Sequence, residues 1–134
     1  MKKVLMVLAA TGFIITGRAI VQSNTPQSIT RGKEVYELYC QSCHQENGTG
    51  IKDVNPPLAK ADYMKNTAND LISIILQGSA MKLTVNGKKF YGSMTSQEYL
   101  SDEQIADVLN YIKNSWGNKI PGVITPAMVK AKRK

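Results

Sequence analysis

Cys40-Gln41-Ser42-Cys43-His44 gathers both cysteines and the sole histidine of the chain into five residues. This is the Cys-x-x-Cys-His arrangement that attaches a c-type haem covalently. The spacing has a chemical reason. Two thiols about one helical turn apart reach the two vinyl groups of one macrocycle, and the imidazole that follows then faces the iron. Three blander uses compete with it. A thioredoxin-type dithiol expects a βαβ context, and the sequence has none. A zinc site needs a fourth ligand, usually from a second Cys/His cluster. A plain disulfide between Cys40 and Cys43 leaves His44 without a role. Haem attachment is the reading that employs all three residues.

With one histidine, a second imidazole from this chain cannot reach the iron, so methionine is the next candidate for the sixth position. The chain has six: Met1, Met6, Met64, Met81, Met94 and Met128. The first two fall in the N-terminal apolar run and Met128 near the basic end. Met64 follows closely on the proximal loop and is the weakest of the rest. Met94, in Gly92-Ser93-Met94-Thr95-Ser96, lies in an irregular stretch before a well-capped helix, where a loop could fold over the other haem face. Met81, just after Gly78, is the runner-up. Spacing alone leaves open whether either is a ligand or core filling.

The elements that must position these residues read as helices joined by loops. Asn24 to Thr30 is polar and reads as a linker, with Ser28 or Thr30 capping a first helix over Arg31 to Tyr39. Asn47-Gly48, Gly50 and Pro56-Pro57 mark Gln45 to Lys60 as turns. Asn69 or Asp70 is placed to cap a short, almost wholly apolar helix that Gly78 ends. Asn86-Gly87 is a turn, and no alternating run suits a core strand. Ser101 and Gln104 form a capping box with Leu100 as one side of a hydrophobic staple. Ile105, Val108, Leu109 and Ile112 make the inward stripe of that last helix, and Gly117 terminates it. The expectation is a small all-α domain of about 95 residues, a size that often needs an added staple. A covalently held macrocycle supplies one, so the haem-free chain is expected to fold poorly.

The chain has 134 residues, 43% of them hydrophobic and 20% charged, which suits one globular domain plus a targeting segment. The net charge of +7 sits at the two ends. Lys2, Lys3 and Arg18 precede the domain, and Lys130, Lys132, Arg133 and Lys134 follow it; the 10 basic residues between them match the 10 acidic ones. No basic stripe marks a nucleic-acid face. Met1-Lys2-Lys3 followed by the apolar run Val4 to Ile15 has the form of an export signal and is short of the ~20 residues that span a bilayer. The expected organisation is a signal peptide at 1–23, with an uncleaved anchor as the alternative, a linker at 24–29, a haem domain at 30–120 and a basic tail at 121–134.

Longer patterns around the motif resemble class I monohaem cytochromes c over nearly all of Thr30 to Arg133. They are Gly32-x-x-x-Tyr36, CQSCH, Asn47-Gly48-x-Gly50, Pro56-Pro57-Leu58-Ala59, Gly87-x-x-Phe90-Tyr91-Gly92-x-Met94, and LSDEQIADVLNYIKNSWGN from Leu100 to Asn118. The resemblance implies a small cytochrome c-like fold of three to five helices wrapped round one covalent haem c. It implies that Cys40 and Cys43 hold the haem and that His44 and Met94 ligate the iron. It also implies that a proline carbonyl, of Pro56 or Pro57, accepts the other ring nitrogen of His44. Gly32 and Tyr36 would lie where the first and last helices cross, near Leu109 and Tyr111. One departure stands out: Thr95 follows Met94 where the family often has proline, which bears on the stiffness of that loop.

The function expected is that of an exported electron carrier and not an enzyme, periplasmic or otherwise extracytoplasmic, since two filled axial positions leave no place for a substrate. Its partners would be redox proteins such as a periplasmic dehydrogenase, oxidase or reductase, with no nucleic acid, and a membrane only if the signal is retained. Lys52, Lys60, Lys65, Lys82, Lys88 and Lys89 outnumber Asp53, Asp62 and Asp70 across the middle of the chain. They are either solvated surface charge or a weakly basic docking rim for an acidic partner. Two alternatives remain: a haem enzyme or gas sensor with an open sixth position, and a cytochrome subunit of a larger dehydrogenase or oxidase complex.

Overall fold

Ser101 starts the best-defined element. Its hydroxyl accepts from Gln104 N–H while the Gln104 side chain accepts from Ser101 N–H, which closes the capping box of a helix over Asp102–Asn114. In the computed structural model, which describes residues 25–80 and 82–133, this helix is α4; it follows α1 (Thr25–Tyr39), α2 (Gln41–His44) and α3 (Ala68–Gln77) and precedes α5 (Pro126–Lys132). The remaining regular structure is a 3₁₀ turn at Asp62–Lys65 and a two-stranded hairpin, β1 (Leu83–Val85) with β2 (Lys88–Phe90). Five helices and little strand make this an all-α fold. The segment read as a signal, 1–23, lies outside the described residues, as do Asn24, Met81 and Lys134.

α1 and α4 form the main packed pair. Ile105, Val108, Leu109 and Ile112 are all buried, as their spacing predicts, against Val35 and Tyr36 of α1. Leu100 and Ile105 are both buried, and they stand at the two positions of a hydrophobic staple. At the crossing Tyr36, Tyr111 and Trp116 make a three-ring cluster with centroid separations of 4.9 to 5.5 Å.

The helices start and stop where long-range contacts allow. α1 begins at Thr25, not Arg31, so 25–29 is helix and not linker. Ser28 is not its cap: it is buried in the helix and donates to Asp107 Oδ1 at 2.5 Å. Arg31 holds the same carboxylate at 2.6 and 3.0 Å, and this hydrogen bonding raises its pKa. Thr30 instead donates back to Pro26 O. Thr67 caps α3, accepting from Asp70 N–H; Asp70 is the third residue of the helix, and neither it nor Asn69 is the cap. Gly78 ends α3 as expected, at φ +71°. α4 stops at Asn114, and Gly117 lies in the turn beyond it.

Two elements depart from the sequence expectation. Asn86 and Gly87 both take positive φ, the type I′ geometry that joins twisted strands, so the turn carries a short hairpin. The segment 121–134, read from its charge as a tail, contains α5, capped by Thr125 and started by Pro126. Ile124 and Val129 are buried, and Asn110 of α4 brackets Ile124 by donating to its carbonyl and accepting from its N–H. Arg133 then pairs with Asp102 at 2.6 Å and donates to the carbonyls of Glu98 and Leu100.

Candidate functional site

The chain leaves α1 through Cys40, whose N–H still bonds to Tyr36 O, and Cys40 O in turn accepts from Cys43 N–H and His44 N–H. This single helical turn puts both thiols and the imidazole on one side of the chain. Cys40 is half-buried and Cys43 is exposed, and no disulfide joins them. Burial, followed by the nearby Cys43, pushes the Cys40 thiol up to about 12, the reverse of an activated redox thiolate. Among the described residues no group of three His, Cys, Asp or Glu could hold a metal ion, so a zinc site has no ligand set here.

His44 Nδ1 stands 3.0 Å from the Pro56 carbonyl oxygen. A carbonyl only accepts, so Nδ1 carries the hydrogen and Nε2 presents its lone pair. Burial lowers the His44 pKa, partly offset by that hydrogen bond, and keeps the imidazole neutral and ready to ligate. Of the two prolines, Pro56 is the acceptor, while Pro57 lines the cleft beside it. The loop after His44 is fixed from several sides. Tyr36 Oη donates to Gln45 O at 2.6 Å and Trp116 Nε1 to Glu46 O at 3.1 Å. Gly48 O accepts from Leu58 N–H and Ala59 N–H, and Asn118 donates to Leu58 O while accepting from Lys60 N–H. A Cβ on Gly48 would stand 2.6 Å from the Trp116 ring.

Cys40, Cys43, His44, Pro56, Pro57 and Met94 all line one cleft of about 1120 Å³, mouth included. Its walls are apolar: Leu58 and Val85 from loop and hairpin, Leu71 and Ile75 from α3, Leu109 and Ile112 from α4. An apolar lining with a few convergent polar groups is the character of a cofactor site. Two thiols at the edge and a neutral imidazole nitrogen on the wall are the donor set that a covalent haem requires, so the residues fit the group. Met94 arrives from the segment between β2 and α4, which pairs with Ser79 by two backbone hydrogen bonds of 2.8 Å. Met64, on the 3₁₀ turn, also lines the cleft and is buried in the core, while Met128 packs in α5 away from it. Met81 lies outside the described residues. Sequence reasoning singled out the motif residues, Met94 and the prolines. It missed Trp116 and Asn118 as braces of the proximal loop, although the sole tryptophan next to Gly117 was the available signal.

The family model described as Cytochrome c matches residues 29–116. The chain belongs to the cytochrome c family. A cytochrome c-552 of Thermus thermophilus is 36% identical over 122 residues, covering 88% of this chain and 74% of the relative. The cytochrome c subunit of a quinone-type alcohol dehydrogenase from Gluconacetobacter polyoxogenes is 31% identical over 115 residues. The fructose dehydrogenase cytochrome subunit of Gluconobacter japonicus is 34% identical over 101 residues. These cover 85% and 72% of this chain but only 24% and 21% of the relatives, so it spans about a quarter of those subunits. This cytochrome c is of the class I monohaem type, carries covalently bound haem c with its iron, and is an electron carrier that works with redox partner proteins.

Proposed function

We propose that this cytochrome c shuttles single electrons outside the cytoplasm through a haem bound by Cys40 and Cys43 and ligated by His44 and Met94. Cys40 and Cys43 would each hold the haem by a thioether bond to one vinyl group, with no net redox change. His44, oriented by the Pro56 carbonyl, would hold the iron through Nε2, and Met94 would hold it through its thioether. When bound, the haem supplies a one-electron ferric/ferrous couple, and methionine ligation favours the reduced form. The observation that carries this reading is the convergence of both thiols, the oriented imidazole and Met94 on one apolar cleft. Residues 1–23 serve as the export signal, and the mass of the mature protein tests its removal and the haem attachment together.

The dehydrogenase subunits among the relatives support a partner of that class: an extracytoplasmic dehydrogenase that passes electrons to this chain. The six lysines from Lys52 to Lys89 are all exposed and suit an acidic docking face. Partner reduction rates that do not respond to ionic strength would remove that role.

The deciding experiment is an absorption spectrum of the mature protein, oxidised and reduced, with and without carbon monoxide. The expected result is a methionine-to-ferric charge-transfer band that Met94→Ala abolishes, and no carbon monoxide binding at neutral pH. A high-spin or carbon monoxide-reactive haem would turn the reading to an open site for a ligand or substrate.

A further inference from the structure

The Met94 loop has no proline to stiffen it, yet three backbone groups in it are tied to one place. Met94 N–H and C=O pair with Ser79 at 2.8 Å each, Gln97 N–H bonds to Ile75 O at 2.8 Å, and Glu98 N–H bonds to the Ser96 hydroxyl at 3.3 Å. Ser96 Oγ donates to Leu76 O at 2.6 Å. The Glu98 bond stays inside the loop; the other anchors all belong to the last turn of α3 and the two residues after it. The final carbonyls of a helix have no partner inside it, and here Ile75 O and Leu76 O are taken by the Met94 loop. Gly78 makes the approach possible. At φ +71° and ψ −166° it holds a backbone conformation open to glycine, and a Cβ there would overlap Met94 O and stand 2.7 Å from Ser96 N.

We propose that the C-terminal end of α3 is the template that holds Met94 on the iron, with Ser96 and Gly78 as positioning residues of the sixth ligand. The inference rests on Met94 being that ligand. It assigns the stiffness that Thr95 does not provide to hydrogen bonds on orphan helix carbonyls. An added ligand such as imidazole reaches ferric iron only when Met94 is off, so its apparent affinity rises with the open fraction. Imidazole affinity therefore reads the template directly, apart from global stability.

The test is an imidazole titration of the ferric holoprotein with the charge-transfer band recorded alongside. Ser96→Ala removes one hydrogen bond and is expected to tighten imidazole binding about fivefold. Ser96→Thr keeps the hydroxyl and should hold the parent affinity. Gly78→Ala is expected to tighten binding on the order of tenfold or more. Ser28→Ala, which loosens the buried contact to Asp107 on the far element α4, should melt earlier without changing the affinity. If Ser96→Ala binds imidazole as the parent does while Met94→Ala loses the band, the template is refuted and Met94 ligation stands. If Met94→Ala keeps the band, the ligand reading falls and the template with it. Should Gly78→Ala fail to fold, the pair Ser96→Ala and Ser96→Thr decides alone.

Discussion

Gly32 of α1 lies directly against the Asp107 carbonyl of α4, with no room between them for a side chain. A Cβ at Gly32 would overlap that oxygen and stand 2.9 Å from Tyr111 Cβ. Backbone blocks one side and a helix-borne β-carbon the other, so relief requires the two helices to part. Gly32→Ala is expected to cost about 3 kcal/mol, the upper end for overpacking, and to lower Tm by more than ~10 °C. A thermal melt of the holoprotein measures it, and a variant that melts with the parent would show that the crossing yields cheaply.

Gly50 plays the same part for His44. Its N–H bonds to His44 O at 3.0 Å, and a Cβ on it would stand 2.6 Å from the Pro56 oxygen that receives His44 Nδ1. Gly50→Ala should push that carbonyl away, leave the imidazole less basic and stabilise ferric iron less. The reduction potential is then expected to rise by tens of millivolts, since ~59 mV corresponds to 1.4 kcal/mol for one electron. Protein-film voltammetry gives the number; an unchanged or lower potential contradicts the link.

Lys113 provides a pH test. It is buried at the end of α4, its ammonium donates to Gly122 O at 2.7 Å, and burial lowers its pKa below 10.5. The unfolded chain therefore binds this proton more tightly than the folded one. Between the folded pKa and 10.5 the unfolded state holds more protons, so stability rises with pH through that window; below it the penalty is constant. Denaturant titrations from neutral to alkaline pH should show the parent gaining on Lys113→Met across the window. Parallel curves would remove the effect.

Removing the haem removes what the cleft walls pack against. Leu71, Ile75, Leu109 and Ile112 all line that cleft, so a chain without haem has lost the centre of its core. The expected outcome for Cys40→Ala/Cys43→Ala is reduced helicity and no cooperative melt in circular dichroism. A sharp native-like transition would mean that the helices suffice alone.

Local signals carried most of what the sequence disclosed. The Cys-x-x-Cys-His motif, the Ser101–Gln104 box, the Asn86-Gly87 turn and the stripe from Ile105 to Ile112 each act within a few residues, so spacing exposes them. What stayed hidden depends on partners far along the chain. Ser28 looks like a cap until Asp107, 79 residues away, takes its hydroxyl into the core. Charge made the last segment look like a tail, although Ile124 and Val129 were the residues that mattered. β1 and β2 have three residues each, too short to display an alternation. The choice of Pro56 over Pro57 needed the fold of the whole loop from His44 onward.

The ring cluster of Tyr36, Tyr111 and Trp116 gives the molecule a stiff half and a pliant half. By clamping residues 45 to 48 to the α1–α4 crossing, it merges the proximal segment with the most extensive helix contact. Segment 93–98 carries no ring of its own, and its ties are chiefly hydrogen bonds to the end of α3. Thermal fluctuation therefore divides unequally: the lowest-lying excursion from the native state opens that segment while α1, α4 and the haem attachment stay intact.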